Sequence, residues 1–577
     1  MKAEKIQLIH PARHGVILLG VVLVAALLLW RALDLQVLNN DFLQGQGDAR
    51  YLRVIKMAAN RGMITDRNGE PLAISTPVDS VWVNPGQLKI SGAERRQLAG
   101  LLKVKVDVLQ RKLASRKGRE FVYLKRHINP DVAQQVLALN IPGISLQREY
   151  RRYYPAGEVA AHVVGFTNID DAGQEGVELA YNDWLSGKPG SKRVIKDRLG
   201  HVVEDVESIY EPEAGKELRL SIDRRLQYLA YRELKATVQQ HKARSGSAVI
   251  MDVQSGEVLA AVNRPSYNPN NRGTLRRGST RNRVVTDVFE PGSTIKPFTI
   301  AAALEAGRIK PRTVIDTGPG VLRVGNKSVR DVRDYGAIDI ATIIKKSSNV
   351  GASKIALMVP PAQMWELFSQ AGFGDDTGSG FPGEVGGLLS DFHGWNDVER
   401  ATLSYGYGLS VTTLQLTRAY AMLANGGLLK PASFVQLEHN QGVPARVMSA
   451  KNARHVMAML ETVTSDDGTG ALAQVPGYRI AGKTGTVQKY TAGGYSDESY
   501  VALFAGVAPA SKPRLAMVVM INEPGRDEYY GGRIAAPVFA RVMAGALRML
   551  GVAPDAVPTP LRGAAVTGQL AVQGQGA

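Results

Sequence analysis

The sequence predicts a mixed α/β (α+β) protein behind a single N-terminal transmembrane helix. Three observations predict it. An uncharged apolar run lies near the N-terminus, and short apolar runs punctuated by turn signals fill residues 39–215. Pairs of buried-strand candidates then stand at both ends of residues 216–551, with helices between and after them.

The apolar run over residues 15–30 reads GVILLGVVLVAALLLW. It spans roughly 24 Å as a helix, and extension through Arg31 to Leu33 brings it near a hydrocarbon core of about 30 Å. Arg31 can snorkel to the interface. Lys2, Lys5 and Arg13 precede the run against Glu4 alone, which predicts residues 1–14 in the cytoplasm and the rest of the chain outside it. A cleaved signal peptide is the competing reading. The bulky Leu27, Leu28, Leu29 and Trp30 offer no small-x-small cleavage site and favour an uncleaved anchor at residues 15–33.

In residues 39–215, Asn68-Gly69 between two short apolar runs predicts a hairpin turn. One helix is predicted over 92–114, where Leu98, Leu101 and Leu102 recur. No nucleophile, base or metal-ligand set assembles there, so the region reads as a spacer or interaction module. After the boundary at residues 210–215, runs at 247–253 and 257–262 flank Gln254-Ser255-Gly256, a predicted hairpin. Two more strand candidates start at Val501 and Leu515. A helix follows, with Val538, Phe539, Val542, Met543, Ala546, Met549 and Leu550 on one face and Arg541 and Arg548 opposite. Strands at both ends of the domain predict one sheet whose outer strands come from distant sequence. Residues 552–577 are rich in Pro, Gly, Ala and Gln and predict a flexible tail.

Composition excludes several classes. At 577 residues the chain implies two or three domains, and 44% hydrophobic with 21% charged content excludes wholesale disorder. The absence of cysteine excludes disulfides, thiolate metal sites and a thiol nucleophile. Nine histidines lack spacing such as H-E-x-x-H, so no metal and no cofactor is expected. The net charge of +17 favours anionic partners. With no zinc-finger or RNA-binding signature, lipid or an acidic polymer fits better than nucleic acid.

Three motifs carry chemistry: Ser293-Thr294-Ile295-Lys296 (S-x-x-K), Ser347-Ser348-Asn349 (S-x-N) and Lys483-Thr484-Gly485-Thr486 (K-T-G). Pro297 is tolerated in a first helical turn, which predicts a helix starting near Gly292 or Ser293. Spacing of three puts the Lys296 amine beside the Ser293 hydroxyl, and burial with nearby cations can free that amine to take the serine proton. Lys483 can add positive potential and attract a substrate carboxylate. Ser347 can relay a proton, and Asn349 can hold Lys296 and a substrate amide. Gly485 leaves room for a substrate backbone, and the N–H groups of Ser293 and Thr486 can form an oxyanion hole. Taken singly, each has an ordinary explanation: Ser347 and Asn349 as a helix cap, Lys483 as a strand-end surface charge. S-x-x-K and K-T-G each occur once, and their order around S-x-N is the specific signal.

On these motifs the chain closely resembles the penicillin-binding proteins, in particular the class B transpeptidases of bacterial division, the FtsI-like group. Arg61-Gly62-Met63-Ile64-Thr65-Asp66-Arg67-Asn68-Gly69, Arg152-Tyr153-Tyr154-Pro155-Ala156-Gly157 and Gly173-Gln174-Glu175-Gly176-Val177-Glu178 look like motifs of that family's pedestal. Tyr405-Gly406-Tyr407-Gly408 looks like a segment of its transpeptidase domain, and Ser348 stands where many serine β-lactamases have Asp. The resemblance implies an elongated β-rich pedestal (dimerisation-like) domain at 39–215. It also implies a serine β-lactamase-like transpeptidase domain at 216–551, with a mainly antiparallel sheet flanked by helices. It implies attack by Ser293 on D-Ala-D-Ala stem peptides and acylation by β-lactams. Thr484 and Thr486 would bind the substrate carboxylate, and Tyr500, Tyr529 and Tyr530 would stand near the cleft, core or loop packing being their alternative.

No glycosyltransferase domain is expected. A β-lactamase would need a deacylating glutamate that is not identifiable, and a β-lactam sensor would need more membrane spans. An elongation-type transpeptidase is the nearer alternative to a septal one; Gly165-Phe166-Thr167 followed by Asp170-Asp171 favours division. The resemblance then implies an inner-membrane, single-pass protein with a periplasmic catalytic domain. Its expected partners are a polytopic glycan polymerase and other divisome proteins.

Overall fold

The structure, a computed structural model, describes residues 11–38, 52–196, 202–437, 444–491, 493–525 and 527–556. The chain forms two compact units: one of residues 1–61, 76–151 and 187–215, the other of residues 62–75, 152–186 and 216–577. Packing and sequence order therefore differ: two segments ahead of residue 215 belong to the larger unit.

The N-terminal helix runs Pro11–Leu33, four residues earlier than the apolar run alone predicts, and continues as a π turn over Asp34–Leu38. Proline suits a first helical turn because its missing N–H would lack a partner there anyway. The stretch Ala12–Leu38 is long and apolar enough to cross a membrane, and none of its apolar window is buried against protein. That pattern suggests a membrane anchor.

In the smaller unit, the helix predicted over 92–114 is two, Gly92–Leu101 and Val106–Ala114. Ser91 and Glu94 cap the first reciprocally. Lys103 ends it with φ +50°, and the Val104 N–H returns to the Ala99 carbonyl at 3.0 Å, closing a Schellman turn that the leucine periodicity does not reveal. Leu98, Leu102 and Leu109 pack with Val81, Val83, Val122 and Leu124 of the strand pair beneath.

The larger unit is built on a five-stranded antiparallel sheet. Its order is Val258–Arg264, Ser245–Asp252, Leu515–Asn522, Gly494–Ala508, Ala481–Thr491. The edge strands come from distant sequence, as the apolar runs predict. Alternate residues of Leu515–Asn522 enter two cores. Leu515, Met517, Val519 and Ile521 face a layer that includes Val538, Phe539 and Leu226. Ala516, Val518 and Met520 face a layer that includes Ile300, Ile343 and Leu460. Both faces are covered, so the strand reads as an unbroken apolar run. The hairpin at Asn68-Gly69 also forms, with Gly69 at φ +87° and the Asp66 carboxylate accepting from Asn68 and Glu70 N–H.

The terminal helix is Gly531–Met549. Val538, Phe539, Val542, Met543 and Ala546 are buried as predicted, but Met549 is exposed, and Leu550 lies just beyond the helix, partly buried against the same core. Residues 552–556, expected to belong to a flexible tail, are instead fixed. Tyr478 Oη donates to the Val552 carbonyl at 2.6 Å, and the Asp555 carboxylate accepts from Arg479 and Ser511 N–H. The remaining tail residues lie outside the described residues.

Candidate active site

The S-x-x-K motif sits where a loop enters the helical layer. Gly292–Ile295 forms a 3₁₀ turn that passes into the α-helix Lys296–Glu305, so the α-helix begins later than Pro297 predicts. In a 3₁₀ turn residues i and i+3 eclipse, which puts Ser293 and Lys296 on one face. Three contacts fix the turn. Thr294 Oγ1 donates to the Pro291 carbonyl at 2.6 Å, Tyr420 Oη to the Thr294 carbonyl at 2.8 Å, and Gly292 N–H to the Gly406 carbonyl at 3.1 Å. Gly292 has φ +52°, and a Cβ on Gly406 would stand 2.1 Å from the Gly292 carbonyl oxygen, so the last contact needs glycine on both sides.

Lys296 is fully buried. Its Nζ reaches the Ser347 carbonyl at 2.5 Å, Asn349 Oδ1 at 2.7 Å and Ser347 Oγ at 3.1 Å. A neutral amine has two N–H bonds and one lone pair. The carbonyl and the amide oxygen take the two hydrogens, which leaves the lone pair to accept a proton from a hydroxyl. Burial pushes the Lys296 pKa well below an ordinary lysine, and the Lys483 ammonium pushes it further, against a smaller pull from Asp331.

Lys483 is also fully buried; its Nζ donates to Ser347 Oγ at 2.8 Å and to the Thr484 carbonyl at 3.1 Å. Burial lowers its pKa to about 7. Ser347 Oγ thus bridges the two amines.

That bridge depends on an unusual backbone. Ser347 has φ +61° at the C-cap of Ile340–Lys346, and Ser348 is the N-cap of Asn349–Met358, accepting from Gly351 N–H at 2.8 Å. Ser347 is thus a helix-cap residue, and the cap aims its hydroxyl between the two lysines. Asp331 locks it, accepting from the Ser348 hydroxyl and Asn349 N–H at 2.5 Å each and from Val350 N–H at 3.1 Å. A carboxylate on a helix N-terminus is favoured by charge as well as by hydrogen bonding.

The K-T-G strand, Ala481–Thr491, is the sheet edge. Thr484 Oγ1 donates to Thr469 Oγ1 at 3.0 Å, and Thr486 Oγ1 accepts from Gly531 N–H at 3.0 Å. A Cβ on Gly485 would lie 3.1 Å from Thr294 Cγ2 and 3.2 Å from the Pro291 carbonyl. Glycine here brings the Ser293 turn against the strand, a reason internal to the protein beside the room for substrate that its spacing implies. Tyr500 and Tyr529 stack at 4.2 Å, and Tyr529 Oη reaches Tyr530 Oη at 3.3 Å.

Residues 246–544 match the penicillin-binding protein transpeptidase domain, and residues 56–220 match the penicillin-binding protein dimerisation domain. The chain is 46% identical to the peptidoglycan D,D-transpeptidase FtsI of Escherichia coli over 94% of its own length and 93% of that protein's. The chain belongs to the class B penicillin-binding proteins. Among solved structures, penicillin-binding protein 3 of Mycobacterium tuberculosis in complex with aztreonam is similar, at TM-score 0.67 and 27% identity over 87% of this chain and 98% of that one. The TP domain of penicillin-binding protein 3 from Burkholderia pseudomallei is 41% identical, with TM-score 0.55 over 59% of this chain and 98% of that one.

Within this penicillin-binding fold, Lys296, Ser347, Asn349 and Lys483 come together around two buried amines, Ser293 lies in the 3₁₀ turn just ahead of Lys296, and Thr484, Gly485 and Thr486 follow on the adjoining strand. Tyr500, Tyr529 and Tyr530 form a stack of their own. Sequence reasoning missed Asp331, Thr469 and Tyr420. Asp331 lies 17 residues from Ser348, so no helical or strand period links them. Two pedestal-like motifs also meet, through a fully buried ion pair between Arg152 and Glu178 at 2.7 Å.

Proposed function

We propose that Ser293 is the acyl-accepting nucleophile of a peptidoglycan D,D-transpeptidase. One observation carries this reading: a lysine withdrawn from water, one 3₁₀ turn after a serine, bridged through Ser347 to a second buried lysine. Ser293 Oγ attacks the carbonyl carbon of the penultimate D-Ala while its proton passes to the Lys296 lone pair. The N–H groups of Ser293 and Thr486 hold the oxyanion. The C–N bond to the terminal D-Ala breaks, and its nitrogen takes a proton from Ser347 Oγ, which Lys296 or Lys483 restores. An amine of a second stem peptide then attacks the ester carbonyl. It loses its proton by the reverse route, forms the cross-link and releases Ser293.

Thr484, Thr486 and the Lys483 ammonium receive the terminal carboxylate, and Tyr500, Tyr529 and Tyr530 flank the cleft. A β-lactam enters as an analogue of D-Ala-D-Ala and stops at the acyl-enzyme. The likeness to FtsI supports a septal role. In that role the helix Pro11–Leu33 anchors the protein in the inner membrane, N-terminus inside, and the pedestal at 39–215 and transpeptidase domain at 216–551 lie in the periplasm. A polytopic glycan polymerase and other divisome proteins are its partners.

Labelling the full chain with a fluorescent penicillin and sequencing the modified peptide by mass spectrometry tests the reading. A single adduct on Ser293, lost in Ser293→Ala, is expected; an adduct elsewhere, or one that survives the substitution, overturns it.

A further inference from the structure

The segment that delivers Asp331 to the S-x-N motif carries a second chemistry. Strands Val321–Val324 and Lys327–Arg330 form a hairpin ahead of Asp331, paired as Val321 with Arg330, Leu322 with Val329 and Arg323 with Ser328. Leu322, Val324 and Val329 pack inward on Val350, Val398 and Ala401. By alternation Arg323 and Arg330 share the opposite, solvent face as diagonal neighbours, about 7–8 Å apart. Lys327 is exposed at the hairpin end, and exposed Arg333 lies over the Tyr335 ring at 5.2 Å.

Two like charges so placed repel, and a nearby carboxylate can relieve this. Elsewhere Arg225 pairs with Asp223, Arg232 with Glu233, Arg244 with Glu523 and Arg281 with Asp287. Among the described residues, Arg323, Lys327 and Arg330 have no such partner. The adjacent carboxylate, Asp331, is committed to Ser348, Asn349 and Val350. The cluster is also tied to the reaction centre: Asn349 Nδ2 donates to the Arg330 carbonyl at 3.1 Å while its Oδ1 faces Lys296.

We infer that the solvent face of this hairpin is a carboxylate-binding wall of the cleft, which takes the acyl-donor stem peptide at acidic groups ahead of its D-Ala-D-Ala end. The inference rests on the transpeptidase reading above. The donor is the occupant because its terminal carboxylate is received on the K-T-G side, so the rest of the peptide runs from Ser293 past Asn349 toward Arg330.

The test uses the full chain in detergent with two peptide donors ending in D-Ala-D-Ala. They are identical except that upstream carboxylates are free in one and amidated in the other. Release of D-Ala gives kcat/KM for each. The wild type should prefer the free-carboxylate donor about fivefold at low salt, as expected of two exposed charge pairs, and lose that preference near about 0.5 M salt. R323Q/R330Q should abolish the preference and R323K/R330K restore most of it, while Ser293 acylation by a penicillin with an uncharged side chain stays within about twofold.

Equal use of both donors by the wild type overturns the inference. So does a preference that survives R323Q/R330Q, or one that follows the carboxylates of the acceptor. The wild-type comparison decides even if a variant fails to fold. Failure of wild-type Ser293 to react with penicillin would overturn the transpeptidase reading instead.

Discussion

Glu149 in the smaller unit and Lys296 in the larger are both ionisable groups withdrawn from water, and their surroundings treat charge in opposite ways. Glu149 accepts from Arg126 Nη2 at 2.9 Å, from Tyr123 Oη at 3.0 Å and from the Ser80 hydroxyl. Burial alone would raise its pKa, but Arg126 and the two hydroxyls outweigh burial and hold it below the usual range. Around Lys296 burial is reinforced by a second cation, and the weaker pull of Asp331 does not reverse it. One site supplies the counter-charge that keeps an ion charged. The other adds a second cation instead, so the amine's pKa is held well below that of an ordinary lysine.

The largest effect should come from Lys296→Ala. Penicillin acylation should fall by about 10⁴ or more, as cooperating catalytic groups do, with the far-UV spectrum unchanged. Stopped-flow or gel-based acylation rates measure it, and an unchanged rate removes the base. Glu149→Ala should act the other way round. Leaving Arg126 without its counter-charge should cost about 3 kcal/mol in denaturant unfolding, while the folded protein keeps its acylation rate. A stability loss in Lys296→Ala as large as in Glu149→Ala would erase the contrast between the two sites.

Asp331→Asn sharpens it. The substitution weakens charge-assisted bonds to Ser348, Asn349 and Val350, for a loss of about 2 kcal/mol, and removes the one carboxylate that favours charged Lys296. Unfolding should show that loss, and the acid limb of acylation should move to lower pH.

Lys483 adds a linkage effect, modest per pH unit. Burial lowers the pKa of folded Lys483 to about 7, far below the ordinary lysine value of 10.5. Between these values the unfolded chain holds a proton that the folded chain does not, so stability rises with pH by about 1.4 kcal/mol per unit across that window. Below the folded value both states hold the proton and the slope vanishes. Thermal unfolding of Lys483→Met, compared with wild type at several pH values, should lack this contribution.

The legible parts of the site were those encoded in short spacings. Ser293 and Lys296 are one turn apart, Ser347 and Asn349 flank a cap, and K-T-G is contiguous. The antiparallel sheet was legible because strands buried on both faces read as continuous apolar runs. What escaped depends on contacts that sequence distance hides. Asp331 reaches Ser348 only because a hairpin carries it there. Lys103 breaks a predicted helix through a backbone turn that leucine spacing does not record. Gly485 is small for Thr294, nearly two hundred residues earlier in the chain, and Asp555 is held by Arg479 and Ser511 although its neighbours resemble a tail.

The pH dependence of the second-order acylation rate of Ser293 by a penicillin tests the account most directly, because it reads the proton on Lys296. A neutral lysine predicts an acid limb well below the ordinary lysine range and a rate already on its plateau at neutral pH, with the limb absent in Lys296→Ala. A rate that keeps climbing toward pH 10 in the wild type would mean an ordinary ammonium at that position, and would contradict the account.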